Sequence, residues 1–99
     1  MSENKKQVGL RFNEGKQRYD LVHPLATEGL VKVLTKGSIK YEPRNWELGM
    51  SWMSVLASLK RHLAAFEKGE DFDPETGLLH IDHIQCNAHF LSAYYKIAP

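Results

Sequence analysis

The 99-residue sequence has a single cysteine, Cys86, which excludes an internal disulfide framework and is typical of a reducing cytoplasm. It has no apolar run near the roughly 18 residues that a membrane span requires. The polar residues from Met1 to Gln7 also exclude a secretory signal. The length suffices for one hydrophobic core, so we expect one domain over residues 1–99 and no membrane partner.

The sequence also has little net charge, +1 in total, but the charge is unevenly distributed. Residues 1–61 carry eleven Lys and Arg against six Asp and Glu, whereas residues 62–99 carry two against six. Four of the five histidines also lie in the acidic part. This division favours a basic region for anionic groups beside a region that binds cations or moves protons; a chance distribution of surface charge is the alternative.

Apolar spacing predicts three helices, and no segment alternates with period 2. The predicted helices are residues 24–37, residues 51–69 and approximately residues 78–96. Gly29 is unfavourable inside the first helix. We therefore predict an all-α fold: a helical hairpin plus one further helix over residues 23–99, preceded by a long extended arm, residues 1–22.

The predicted core is small for a chain that must be stable by itself. A helical hairpin can complete its core by pairing with a second copy. We therefore expect a homo-oligomer.

Three histidines form the first candidate site. His80 and His83 share one face of the third predicted helix, and His62 lies beside the apolar stripe of the second. In an antiparallel hairpin, His62 and His83 lie at similar heights and could meet. His89 lies on another face and is expected to be exposed.

The histidines and nearby carboxylates allow three interpretations. They could hold a divalent metal such as Mg²⁺ or Mn²⁺, could hydrogen-bond a ligand or act as a general base, or could be structural. The metal candidates are His62, Asp71, Asp73, His80 and His83. The catalytic candidates are His62, His83 and Asp71.

Two segments of the basic part, residues 15–20 and 40–46, combine cations with aromatic side chains. Cations bind phosphates, and Tyr or Trp stacks on bases. With a pI near 7.9, the combination favours a nucleotide over a long nucleic acid. Trp46 taken alone is better explained as a core aromatic.

These stretches also carry a resemblance that covers approximately residues 9–95. Its motifs are Gly15-Lys-x-Arg-Tyr-Asp20, Lys40-Tyr41, Asn45-Trp46 with Gly49, Arg61-His62, Gly69-Glu-Asp-x-Asp-Pro-Glu-x-Gly77, and His80-x-x-His83 with Asn87. In this order and spacing they resemble the phage-associated dATP/dGTP diphosphohydrolase, N-terminal domain family.

The resemblance implies a small helical phage or prophage protein in the host cytoplasm that handles purine deoxynucleotides and removes phosphates from dATP or dGTP. The residues that match the family motifs are Lys16, Arg18, Tyr19, Asp20, Lys40, Tyr41, Asn45, Trp46, Arg61, His62, Glu70, Asp71, Asp73, His80, His83 and Asn87.

Two hypotheses follow. The first is a metal-assisted phosphohydrolase in which the cations hold phosphates, the aromatic segment contacts base or sugar, and the histidines hold the metal or activate water. The second is an anti-defence protein that sequesters a signalling nucleotide without turnover or metal. The ligand-binding candidates are Lys16, Arg18, Tyr19, Asp20, Lys40, Tyr41, Arg44, Asn45, Trp46, Arg61 and Asn87.

Overall fold

The computed structural model describes residues 9–10, 14–42 and 44–97. Within these ranges the chain forms three α-helices: α1 (Pro24–Lys40), α2 (Trp52–Glu67) and α3 (His80–Ile97). Short 3-10 helices occur at Tyr19–Leu21 and Asn45–Leu48. The described ranges contain no β-strand beyond one isolated bridge in the α2–α3 loop. The all-α prediction is therefore confirmed.

Helix α1 starts where the sequence predicted and ends later. Pro24 occupies its first turn, and the His23 ring caps it by accepting a hydrogen bond from the Leu25 N–H at 3.1 Å. Gly37 does not end the helix, because its carbonyl accepts the Tyr41 N–H at 2.9 Å and the helical hydrogen bonding continues to Lys40. The predicted end at Gly37 is thus wrong by three residues.

Helices α2 and α3 form the predicted hairpin. Ser51 caps α2 by accepting the Ser54 N–H at 3.4 Å, and Gly69 has the positive φ of 95° that favours glycine after a helix end. In the loop that follows, Asp73 N–H donates to the Leu78 carbonyl at 2.8 Å, and its own carbonyl accepts the Gly77 N–H at 2.7 Å. These bonds fold the acidic loop back onto the start of α3.

Helix α1 packs across α3 at Gly29. This glycine is buried, and a Cβ placed on it would overlap the carboxylate of Asp82. Nearby, the Gln85 amide donates to the Ala26 carbonyl at 3.0 Å. The glycine that is unfavourable for an isolated helix therefore permits the close approach of α1 and α3.

The buried apolar core is small. Among the described residues, only Val55, Cys86 and Tyr94 are buried apolar side chains, while large apolar side chains such as Leu25 and Leu48 are exposed. The homo-oligomer stays a prediction. No helix in the described part of the chain is both long and apolar enough to cross a membrane.

The segment before α1 is not uniformly extended, contrary to the expectation of an extended arm, since Tyr19–Leu21 turn into a 3-10 helix. The turn is closed by the Leu21 N–H, which donates to the Arg18 carbonyl at 3.1 Å. The expectations for Met1 to Gln7 lie outside the described residues.

Candidate functional site

His62, His80 and His83, here called the histidine cluster, meet at the loop end of the α2–α3 hairpin. The rings of His62 and His83 stack in parallel with centroids 4.3 Å apart. Nδ1 of His62 lies 2.8 Å from Nδ1 of His80. The prediction that His62 and His83 lie at the same height is confirmed.

His83 is joined to Asp73 through the hydroxyl of Thr76. Thr76 Oγ1 donates its one proton to Asp73 Oδ2 at 3.0 Å and accepts the Leu78 N–H at 3.2 Å. His83 Nε2 lies 2.7 Å from the same oxygen, so the nitrogen donates to it. A neutral His83 then carries its proton on Nε2, and its Nδ1 is an unprotonated base.

A second chain of hydrogen bonds runs through His80. His80 Nε2 lies 2.7 Å from Glu70 Oε1, and an ionised carboxylate only accepts, so the nitrogen donates. In a neutral His80 ring Nδ1 then accepts from His62 Nδ1. The His80 side chain is 4% exposed and Glu70 is 52% exposed, so the chain leads from the buried cluster to solvent.

Burial governs the protonation of His62 and His83. It lowers the pKa of both His62 and His83, because an imidazolium loses hydration there, and the neighbouring His83 lowers the pKa of His62 further. Burial alone would raise the pKa of Asp73, but the hydrogen bonds from Thr76 and the Glu75 N–H and the nearby His83 lower it overall. At neutral pH the stacked pair is therefore uncharged beside an ionised Asp73.

The arrangement does not fit a resident metal ion. His62 Nδ1 and His80 Nδ1 lie 2.8 Å apart as hydrogen-bond partners, and His80 Nε2 is bonded to Glu70, so these nitrogens face other side chains and do not converge on one ion. Within residues 14–42 and 44–97, no group of three or more His, Cys, Asp or Glu side chains is placed to hold a metal.

Next to the histidine cluster lies a cavity of about 760 Å³ between α1, the 41–50 segment and α3, here called the α1–α3 cavity. His83 lines it, whereas His62 and His80 do not. The sequence candidates that line it are Tyr41, Arg44, Asn45, Trp46, His83 and Asn87. It therefore joins the aromatic segment to the histidine end of α3, as the division of the sequence suggested.

Aromatic side chains form one wall of the cavity. The Trp46 ring lies 5.2 Å from Phe90 and 5.1 Å from His89, and its backbone carbonyl accepts the hydroxyl of Tyr94. Trp46 is therefore both a packed aromatic and a lining residue. The expectation that His89 is exposed is wrong, since packing against Trp46 buries its Nδ1.

About half of the residues that line the cavity are polar, Glu42 among them. The buried Asn87 donates through Nδ2 to Ser58 Oγ at 3.2 Å. Arg44 has a left-handed backbone with φ of 60°, and its guanidinium pairs with Glu47 at 2.9 Å. A cavity that combines apolar side chains with fixed polar groups is typical of a small-molecule site.

Several predicted site residues lie away from both places. Arg18 is exposed and pairs with Asp20 at 2.7 Å, which raises the pKa of Arg18 and lowers that of Asp20. Asp71 is exposed, and its backbone carbonyl accepts a hydrogen bond from the His80 N–H at 2.9 Å. The other candidates outside the cavity lining and the histidine cluster are Lys16, Tyr19, Lys40 and Arg61.

The structure adds residues that the sequence analysis missed. Ser58 lies one helical turn before His62, Phe90 lies three residues after Asn87, and Thr76 lies within the acidic loop. Lys36 donates from Nζ to the Thr76 carbonyl at 2.6 Å. Helical spacing could have predicted Ser58 and Phe90, because they lie on the same helix faces as His62 and Asn87. No sequence signal indicates that Lys36 contacts a residue 40 positions away.

Two comparisons place the chain among known proteins, and no solved structure matches it. A dATP/dGTP diphosphohydrolase of Salmonella phage PMBT28 is 37% identical over 84 residues. That alignment covers 85% of this chain but 29% of the relative, so the chain spans less than a third of the relative's length. The family model for the N-terminal domain of dATP/dGTP diphosphohydrolases matches residues 6–99. The chain therefore belongs to the dATP/dGTP diphosphohydrolase N-terminal domain family.

Proposed function

We propose that this chain is a phage-encoded domain that binds purine deoxynucleoside triphosphates such as dATP and dGTP in the α1–α3 cavity and hydrolyses a phosphoanhydride bond beside His83. The family and the name of the phage relative support the substrate class. The observation that carries the proposal is the cavity itself, because its lining includes both the aromatic side chains of Trp46 and Phe90 and the ring of His83.

The base fits the aromatic part of the cavity. Trp46 and Phe90 offer adjacent faces with centroids 5.2 Å apart, and Tyr41 lies at the same cavity. Stacking of a base on such faces contributes roughly 1–3 kcal/mol per base. With about 760 Å³, the cavity lies within the 300–1,000 Å³ range of ligand pockets.

The phosphates require a cation near the base. Of the predicted cations, Arg44 lines the cavity, and its partner Glu47 leaves it largely exposed. A phosphate can replace the Glu47 carboxylate on the guanidinium, since Arg binds both in the same bidentate geometry. Lys36 is the nearest other cation identified, but it does not line the cavity and donates to the Thr76 carbonyl.

His83 supplies the chemistry. As a water oxygen attacks phosphorus, its proton passes to His83 Nδ1, while the bond from phosphorus to the bridging oxygen breaks and the leaving phosphate keeps that electron pair. The resulting imidazolium donates through Nε2 to Thr76 and lies 3.6 Å from the Asp73 carboxylate. Asp73 thus stabilises the charged ring, as a carboxylate does behind other catalytic histidines.

The divalent metal stays a prediction from the sequence. No step above depends on it, because the described donors are not arranged around one ion.

The second candidate function is nucleotide binding without turnover, as in a protein that sequesters a defence signal. One observation favours it: the histidines direct most of their hydrogen bonds to one another and to Glu70 and Thr76. The same cavity would hold the ligand, and the histidines would be structural.

One experiment separates the two. The purified chain is incubated with dATP, with dGTP and with cyclic and linear signalling nucleotides, each with Mg²⁺, with Mn²⁺ and with chelator, and the nucleotides are resolved by chromatography. Phosphate or pyrophosphate release supports the hydrolase, and intact nucleotide recovered from denatured protein supports the binder. Absence of both binding and turnover contradicts both functions.

A matched pair of variants assigns turnover to His83. His83→Gln retains a donor toward Thr76 but has no base, so turnover should fall at least a hundredfold, within the roughly 10²–10⁴ of general base catalysis, while binding persists. His23→Asn serves as the control, because asparagine preserves the cap of α1 on an exposed position. Full turnover in His83→Gln would remove His83 from the mechanism.

A further inference from the structure

A buried amide and a hydroxyl stand side by side in the α1–α3 cavity. Asn87 is only 8% exposed, and its Nδ2 donates to Ser58 Oγ at 3.2 Å. Asn87 and Ser58 come from different helices, α3 and α2, and both line the cavity. A polar pair at this depth is costly unless its remaining hydrogen-bonding groups find partners.

Two groups of this pair have no partner among the described residues. Asn87 Oδ1 accepts no hydrogen bond there, and the Ser58 hydroxyl accepts from Asn87 but donates to nothing. The one buried polar side-chain atom in these ranges that is both sealed and unpartnered is His89 Nδ1. Asn87 Oδ1 is therefore open to the cavity rather than enclosed in the protein.

We propose that Asn87 is the specificity-determining residue that reads the group at C6 of the purine, and that Ser58 lets it accept either a 6-amino or a 6-oxo group. This inference rests on the proposed function, because it assumes a purine nucleotide in the cavity. It explains how one pocket can take both adenine and guanine and still require a substituent at C6.

The mechanism uses the two orientations of an amide. With Nδ2 on Ser58, Asn87 presents the acceptor Oδ1 to the cavity. Rotation of the amide by half a turn places Oδ1 on Ser58 and presents the donor Nδ2, and the Ser58 hydroxyl then donates instead of accepting. Both orientations keep the hydrogen bond between Asn87 and Ser58 and occupy the same space.

Adenine and guanine differ at C6 in the way that the two orientations of the Asn87 amide differ, since one is a donor and the other an acceptor. Adenine carries an amino group at C6, which donates, and guanine carries an oxygen there, which accepts. The acceptor orientation of Asn87 therefore pairs with adenine and the donor orientation with guanine. A purine with hydrogen at C6 leaves the buried amide unpaired in both orientations.

The first test uses the unmodified protein with nucleotides that differ in the substituent at C6 of the purine. Binding of dATP, of dGTP and of the triphosphate of purine 2′-deoxyriboside, which has hydrogen at C6, is measured by calorimetry. The 6-unsubstituted ligand should bind about tenfold more weakly than both others, the typical cost of one unpaired buried polar group. Equal affinity for all three would overturn the proposal.

The second test changes the amide. Asn87→Asp, measured at pH 8, presents carboxylate oxygens that only accept, so dATP binding should persist while dGTP binding falls about tenfold. Ser58→Ala removes the anchor of both orientations and should weaken both ligands by the same factor. Ser38→Asp is the charge control, because it adds the same charge to the cavity lining at a residue with no proposed contact to the base, and it should leave the ratio of the two affinities unchanged.

The outcomes distinguish this inference from the proposed function. If no purine nucleotide binds the unmodified protein, both are wrong. If dATP and dGTP bind but the ratio does not change in Asn87→Asp, the purine site stands and the role of Asn87 is wrong. If Asn87→Asp fails to fold by circular dichroism, the ligand series alone decides.

Discussion

The two ends of the polar face of α3 satisfy their polar groups in opposite ways. At the loop end, the ring nitrogens of the histidine cluster are hydrogen-bonded within the protein, since His83 donates to Thr76 and His80 donates to Glu70. One to two turns further along, the cavity end leaves Asn87 Oδ1 without a partner in the part of the chain that the structure describes. His83 takes part in both places, because it lines the cavity and bonds to the loop.

This contrast distinguishes side chains that hold the structure in place from side chains that are available to a ligand. A group whose hydrogen bonds are complete in the free protein adds rigidity, whereas a buried group with an open acceptor gains most from a ligand. We therefore expect substitutions of His62 and His80 to change mainly stability, and substitutions of the groups that bind the base to change mainly affinity.

The largest stability effect should come from His80. His80→Ala removes a ring that is 4% exposed, leaves His62 without its partner and opens a void, so the free energy of unfolding should fall by about 2–3 kcal/mol. Urea denaturation measures it, with His23→Asn as the exposed control. A loss equal to that of the control would show that the cluster does not rigidify the hairpin.

Trp46 tests the cavity end. Trp46→Leu retains apolar packing against Phe90 and Tyr94 but removes the stacking face, so affinity for dATP should fall about tenfold. Calorimetry measures the affinity and urea denaturation the stability. An affinity that stays the same while stability falls would make Trp46 a core residue only.

The pH dependence of stability should come from the cluster. The pKa of His62 and of His83 is lowered below the ordinary 6.5 in the folded chain, so the unfolded chain binds more protons as the pH falls. The free energy of unfolding should therefore be highest above about pH 6.5 and decrease below it. Urea denaturation between pH 5 and 8 measures this slope, and His62→Gln should flatten it. An unchanged slope in that variant would contradict the assignment.

The smallest effect concerns the α1–α3 crossing, which sets the width of the cavity. Gly29→Ala gains roughly 1 kcal/mol of helix propensity but displaces the Asp82 carboxylate, so we expect a net loss of about 1 kcal/mol. In an Asp82→Ala background the same change should become stabilising. A loss of the same size in both backgrounds would show that Asp82 is not the obstacle.

Sequence reasoning predicted the helices and part of the site. The spacing of apolar residues gave α2 and α3, and the height argument placed His62 against His83 because helical rise is constant along both helices. It was wrong at Gly37, because a glycine can end a helix or continue it. The role of Arg18 in ligand binding stays a prediction, since this exposed side chain pairs with Asp20 two residues away in the free protein.

The sequence by itself determined the all-α class, the hairpin and the residue types available to a nucleotide site, since periodicity and chemistry are local properties. Only the tertiary structure decided which residues share a place. Thr76 enters the His83 chain because the acidic loop folds back, and Ser58 meets Asn87 because α2 packs against α3. Contacts between elements depend on packing angles and rotations that no single segment encodes.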